Sequence, residues 1–210
     1  MNHDTARNAT ATMTKHQPGP QPAAVDRPIP YAIGPQAAAL LDAIEMHPLF
    51  PRLRTSTLKY PECWATFTGY PIISEWDLDE DGPRLFVEAL RAMAMKAAVF
   101  AATGDERAAE LEVSAPVDEM VHALTAQFTI LSRIQADLTV SFIHSTDNER
   151  FTYDEDGYTD QVYRAAGWGE IPRRYWIGQA ETRRRLRILF EHYESIGISH
   201  GGRSHFFTFR

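Results

Sequence analysis

Two long runs of apolar residues at helical spacing constrain this chain more than any other feature. In residues 83–102, Leu85, Phe86, Ala89, Leu90, Met93, Ala97 and Phe100 recur every three or four positions, the period of one helix face. Thr103-Gly104 marks the end of that run. The second run covers 115–136, with Val117, Val121, Leu124, Phe128 and Leu131 on one stripe. Ser114 is placed to cap it, and Pro116 falls in the first turn, where a missing N–H costs little. The spacing predicts a mainly α fold, a compact helical domain with minor β or loop elements.

The remaining segments fit around those helices. PQAAALLDAIEMH (35–47) reads as a short helix that Pro48 ends. Residues 49–75 are punctuated by Pro51, Pro61, Gly69 and Pro71, and read as loop with short strands at ATFTGY or YPIIS. Tyr60, Trp64, Phe67 and Tyr70 are the aromatic side chains expected to pack from there onto the helices. DQVYRAAG (160–167) reads as a short helix. The last helix is expected over 177–196, carrying Leu186, Ile188, Leu189, Phe190 and Tyr193, with Gly197 ending it. The tail SHGGRSHFFTFR suits a terminal strand. Residues 1–33 hold Pro18, Pro20, Pro22, Pro28 and Pro30 and few large apolar groups, so they read as a flexible leader before a single domain over 34–210.

Charge and cysteine content narrow the function classes. The 210 residues carry a net charge of −7, which argues against a nucleic-acid partner. The charge is uneven. Residues 160–210 hold nine Lys/Arg against five Asp/Glu (+4), and the rest holds 12 against 23 (−11). The basic end either packs on the acidic body or offers a protein partner the last helix, whose run RRYWIGQAETRRRLRI is rich in arginine. The single cysteine, Cys63, excludes an internal disulfide, and its neighbours Glu62 and Trp64 would not activate a thiol. The N-terminus has no apolar signal core. AMAMKAAVFAA (92–102) is short and broken by Lys96, so no membrane span is expected and the cytoplasm is the expected compartment.

Two constellations carry metal-ligand chemistry. Asp118 and His122 are four residues apart, so both lie on one helix face. With His144 in the run SFIHS they form a two-His, one-carboxylate set of the kind found in non-haem iron and some zinc sites. The bland reading is an acid near a helix N-terminus and a hydrogen-bonded imidazole. The second constellation is WDLDEDGPRLFVE. Asp77, Asp79, Asp81, Gly82 and Glu88 fit a calcium loop, D-x-D-x-D-G with Glu at the twelfth position. Against it stand Pro83 after the glycine and the absence of an incoming helix; the bland reading is an acidic lead into the next helix. There is no G-x-S-x-G, Walker or G-x-G-x-x-G motif.

RLFVEALRAM (84–93), APVDEMVHAL (115–124), SFIHS (141–145) and YTDQVYRAAGWGEIPRRYW (158–176) occur in the order of a known series. Together they resemble the glycine-rich domain-containing protein-like family, whose bacterial members read P-x-x-V-D-E-x-W-H, then a hydrophobic helix, then F-I-H-H. Val121 replaces the tryptophan before the histidine, Leu124 stands where some members have a second histidine, and Ser145 replaces the last histidine. The resemblance therefore implies a site at Asp118, His122 and His144 and no particular reaction.

The combined expectation is a divalent metal ion (Fe, Cu or Zn) on those three residues, serving metal-dependent oxidation of a small molecule or peptide. Tyr153, Tyr158 or Trp168 would line the pocket. His192, His200 and His205 are further imidazoles whose participation the pattern leaves open. The competing expectation is a non-catalytic interaction module in which Asp118 and His122 form a structural hydrogen bond.

Overall fold

A computed structural model describes residues 26–59, 78–144, 153–195, 198–199 and 208–209. In chain order the helices are α1 (Pro30–Glu45), α2 (Phe50–Leu58), α3 (Leu78–Thr103), α4 (Glu106–Ala109), α5 (Ala115–Thr125), α6 (Phe128–Leu138), α7 (Tyr158–Ala165) and α8 (Gln179–Ser195). A two-residue antiparallel pair, β1 (Ile198–Ser199) with β2 (Thr208–Phe209), follows and contacts the end of α8. The fold is mainly helical, as the spacing predicts.

Helix α3 is the axis of the molecule. From Ala92 to Val99 every side chain is buried, so this stretch is covered on all sides and must lie in the middle of other elements. Helices α1, α2, α4, α5 and α7 all pack on it. Its one buried cation, Lys96, lies 3.1 Å from a Glu110 carboxylate oxygen on the chain that leaves α4. Each apolar residue expected on the 83–102 stripe is buried except Phe100, which is half-buried.

The acidic run is helix, not a calcium loop. Helix α3 begins at Leu78, ahead of the expected Pro83, which sits inside it. Asp81 and Glu88 are two turns apart and face inward, while Asp79 and Glu80 face solvent. Asp81 accepts two bonds of 2.8 Å from the Arg174 guanidinium and one of 2.6 Å from the Tyr175 hydroxyl. Glu88 accepts from Trp176 Nε1 at 2.7 Å, Arg91 at 2.8 Å and the Tyr163 hydroxyl at 3.3 Å. Two of the supposed calcium ligands are thus spent on side-chain donors, and from Leu78 onward the backbone is helix rather than the loop that would surround an ion. Asp77 lies outside the described residues.

The same short segment holds a third buried acid. Asp160 on α7 has no exposure and accepts from Arg173 at 2.6 Å, from the Tyr153 hydroxyl at 2.5 Å and from the Asp156 backbone N–H at 3.0 Å. Arg173-Arg174-Tyr175-Trp176 therefore joins α3 and α7 by supplying donors to Asp160, Asp81 and Glu88.

Three further boundaries differ from the sequence expectation. The 115–136 run breaks into α5 and α6 at Ala126-Gln127, where Gln127 has φ −82 and ψ 38. The break turns the second half, so Phe128 is 73% exposed while Val117, Val121, Leu124 and Leu131 stay buried. Part of the expected 49–75 loop is α2: Pro51 starts it rather than blocking it, and Leu53 and Thr57, one turn apart, face the core. The expected strands ATFTGY and YPIIS, with Tyr60, Cys63, Trp64, Phe67 and Tyr70, lie outside the described residues.

The leader boundary also moves. Helix α1 starts at Pro30, and Pro35 lies within it. Arg27 is fixed ahead of it by the Ala108 and Glu110 carbonyls and by the Glu112 carboxylate at 2.9 Å, with Tyr158 beneath the guanidinium and donating its hydroxyl to the Pro28 carbonyl. Residues 27–33 thus belong to the folded body. Gly34 makes the α1–α7 crossing close: a Cβ there would lie 2.3 Å from the Ala165 carbonyl carbon.

Candidate metal centre

Ser114 sets the position of α5. It does not cap the helix with its side chain; its hydroxyl donates to the Tyr175 carbonyl at 2.8 Å and accepts from the Ile177 N–H at 3.0 Å. The start of α5 is thereby tied to Tyr175 and Ile177, at the end of the Arg173–Trp176 segment. Val117, Met120, Val121 and Leu124 then bury one face of the helix against α3. Asp118 and His122 fall on a flank of that face, with side chains 18% and 24% exposed.

His144 reaches the same place by a chain reversal. Helix α6 ends at Thr139 in a left-handed conformation, φ 54, and the Val140 N–H returns to the Gln135 carbonyl at 3.0 Å. The Gln135 side chain then accepts from the Phe142 N–H at 2.8 Å, which holds the 141–144 segment against α6. That segment delivers His144 next to His122. Their ring centroids are 4.7 Å apart in an edge-to-face arrangement.

Asp118, His122 and His144 each offer one ligand atom, and those atoms lie within 4.8 Å of one another. His122 Nε2 and Asp118 Oδ2 are 4.0 Å apart. Ligand atoms about 2.0–2.2 Å from one tetrahedral ion are separated by roughly 3.3–3.6 Å, so closing on an ion needs only small side-chain rotations. Two imidazoles and a carboxylate suit Fe, Cu or Zn and leave coordination positions for water or a substrate. Among the described residues this is the cluster that could hold a metal ion.

One neighbour was not singled out by spacing. Glu119 is 2% exposed at its side chain, and its Oε2 lies 3.7 Å from His122 Nδ1. Its separation of three residues from His122 is the signal, masked because an acid in the opening turns of a helix is explained by the helix dipole alone.

The other expected pocket residues are committed elsewhere. Tyr153 binds Asp160 and packs on Trp176; Tyr158 binds Pro28; Trp168 packs on Tyr163 and the Arg91 guanidinium. The side chain of His192, and all of His200 and His205, lie outside what is described. On α8, Arg184 and Arg185 bind Glu181 of their own helix, while ahead of α8 Arg174 reaches Asp81 of the acidic body and Arg173 pairs with Asp160. No helix among the described residues is long and apolar enough to cross a membrane. Comparison with protein-family profiles, with curated proteins and with solved structures finds no match.

Proposed function

We propose that this protein binds one divalent transition-metal ion through Asp118, His122 and His144 and uses it in the oxidation of a small molecule or peptide. The observation that carries the metal reading is the convergence of three ligand atoms within 4.8 Å, brought from two separate segments. The 4.0 Å between His122 Nε2 and Asp118 Oδ2 exceeds hydrogen-bond length, which favours a bridging ion over the direct structural bond of an interaction module. The resemblance of APVDEMVHAL and SFIHS to the glycine-rich domain-containing protein-like family points to the same three residues.

A bound ion of this class supplies Lewis acidity and, for Fe or Cu, one-electron chemistry. The residues around it hold and orient it: His122 and His144 as neutral nitrogen donors, Asp118 as the anionic ligand that offsets part of the charge. Partial exposure of Asp118 and His122 leaves the ion reachable from solvent.

Metal content tests the reading. Untagged protein is purified beside a His122→Ala/His144→Ala variant, and metals are measured by mass spectrometry. Near-stoichiometric Fe, Cu or Zn in the parent and its loss in the variant is the expected result. Equal trace metal in both samples refutes the site. Oxygen consumption with candidate small molecules and peptides then tests the oxidative step.

A further inference from the structure

The two ring nitrogens of His122 face two different carboxylates. Nε2 faces Asp118 Oδ2 at 4.0 Å, and Nδ1 faces Glu119 Oε2 at 3.7 Å. The two acids differ in their surroundings. Asp118 is partly open to solvent at 18%, whereas the Glu119 side chain is enclosed at 2%. An imidazole can give a metal only one nitrogen, and the other then carries the proton and needs an acceptor.

We infer that Glu119 is a positioning residue for His122: its buried carboxylate stands 3.7 Å from Nδ1, near enough to accept a hydrogen bond from that nitrogen's proton after a small side-chain rotation, and so to present the Nε2 lone pair to a divalent cation held with Asp118 and His144. This assignment rests on the metal reading above and deepens it. Three features of the helix make it work. Residues 119 and 122 are one turn apart, so the carboxylate lies beside the ring without distorting the backbone. Residues 118 and 122 are also one turn apart, on the other side of the same ring, so one imidazole is bracketed by both acids. His144 meets the ring edge-to-face, with centroids 4.7 Å apart, which leaves one edge of His122 for Glu119 and the other for the ion.

The charge count agrees: ligation requires unprotonated imidazole nitrogens and carboxylates, and two carboxylates with one divalent cation then sum to zero. A ligating imidazole passes part of the ion's charge to its far N–H, which strengthens that N–H as a donor to Glu119. Glu119 therefore gains most when the cation is bound, and by linkage the cation binds more tightly while Glu119 is present.

Zn(II) titration of the metal-free protein, together with nitrogen-15 NMR of the His122 ring, tests the assignment. The parent should show His122 as the Nδ1–H tautomer before any metal is added. Glu119→Gln should weaken Zn(II) binding by about 10–100-fold while the far-ultraviolet circular dichroism is kept. It should also leave His122 as a mixture of tautomers, which a purely structural role for Glu119 would not produce. Glu119→Asp, with the charge kept but withdrawn by one methylene, should fall between the two. Tight Zn(II) binding by the parent with an unchanged constant in Glu119→Gln overturns the positioning role, and so does a parent His122 in the Nε2–H form. If Glu119→Gln fails to fold, the parent tautomer and the Glu119→Asp titration decide. Equally weak Zn(II) binding by the parent and by His122→Ala is a different pattern. It overturns the metal site itself, and the assignment with it.

Discussion

Trp176 donates its indole N–H to Glu88 across 2.7 Å inside the core, joining two residues 88 positions apart. Glu88 is 4% exposed and Trp176 is fully buried. A carboxylate in that setting persists only with donors on it, and here Trp176, Arg91 and Tyr163 supply them. With Arg173 on Asp160, and Arg174 and Tyr175 on Asp81, one tetrapeptide orders the crossing of α3 and α7. The Tyr175 carbonyl and the Ile177 N–H then fix Ser114 and so the start of α5. The candidate metal centre thus rests on a frame built from buried acids.

Replacing Trp176 by Phe should cost about 3 kcal/mol, from the lost donor to Glu88 and the smaller ring. The deficit should depend on pH. Burial raises the Glu88 carboxyl above its ordinary 4.5, while the bond from Trp176 pulls it down. A carboxyl raised in the folded state adds stability that is complete below 4.5 and is lost as pH rises through the folded value. Removing the indole raises that value further, so the variant loses more on the alkaline side, by about 1.4 kcal/mol for each further unit. Denaturant unfolding at pH 4 and pH 8 checks this, and a deficit that is the same at both would contradict the role given to Glu88.

Arg173→Ala should destabilise the fold by about 2 kcal/mol. It leaves Asp160, which has no exposure, with Tyr153, a backbone N–H and the more distant Arg164 guanidinium at 3.7 Å. The value sits below the usual 3–5 kcal/mol for breaking a buried pair because the Arg173 side chain is itself 39% exposed. Arg183→Ala, on the exposed face of α8, should stay within about 0.5 kcal/mol. Thermal melts of the two variants give the comparison, and equal shifts would show that the buried acid is not what Arg173 serves.

The sequence carried these features unevenly, for physical reasons. Local periodicity revealed α3, α7 and the pairing of Asp118 with His122, because each depends on contacts within a turn or two. The acidic run was ambiguous because D-x-D-x-D-G with a later Glu also places Asp81 and Glu88 two helical turns apart. What separates helix from loop there is a set of donors more than eighty positions downstream. The break after Thr125 was hidden because Ala126 and Gln127 are good helix formers, so only tertiary packing ends α5. Glu119 was visible as an acid, but its burial against His122 depends on how α5 docks.

Gly34→Ala should destabilise the protein although Ala is the better helix former by about 1 kcal/mol. The added Cβ would meet the Ala165 carbonyl carbon at 2.3 Å and the Ala166 nitrogen at 2.5 Å. These are backbone atoms of another helix, so they cannot rotate aside, and α1 must move off α7. Overpacking of this kind costs about 1–3 kcal/mol beyond the propensity gain. Unfolding by urea measures it; a stabilised variant would mean that α1 and α7 do not cross so closely.

Glu181 offers a test of α8 that is independent of the metal centre. Its carboxyl lies in the first turn of the helix and is held down to about 2, chiefly by the hydrogen bond from Arg184, with Arg185 adding to it. A carboxyl lowered in the folded state adds stability that is complete above its ordinary 4.5 and is lost as pH falls through about 2. The side chain is 34% exposed, so solvent screening keeps the gain to about 1 kcal/mol or less. Glu181→Gln should therefore speed amide exchange in the first turns of α8 by a few-fold at pH 6. The difference should shrink in 1 M salt and toward pH 2, where the parent carboxyl is itself protonated. Exchange that is unchanged at pH 6 would show that the Glu181 pairing adds nothing to the start of α8.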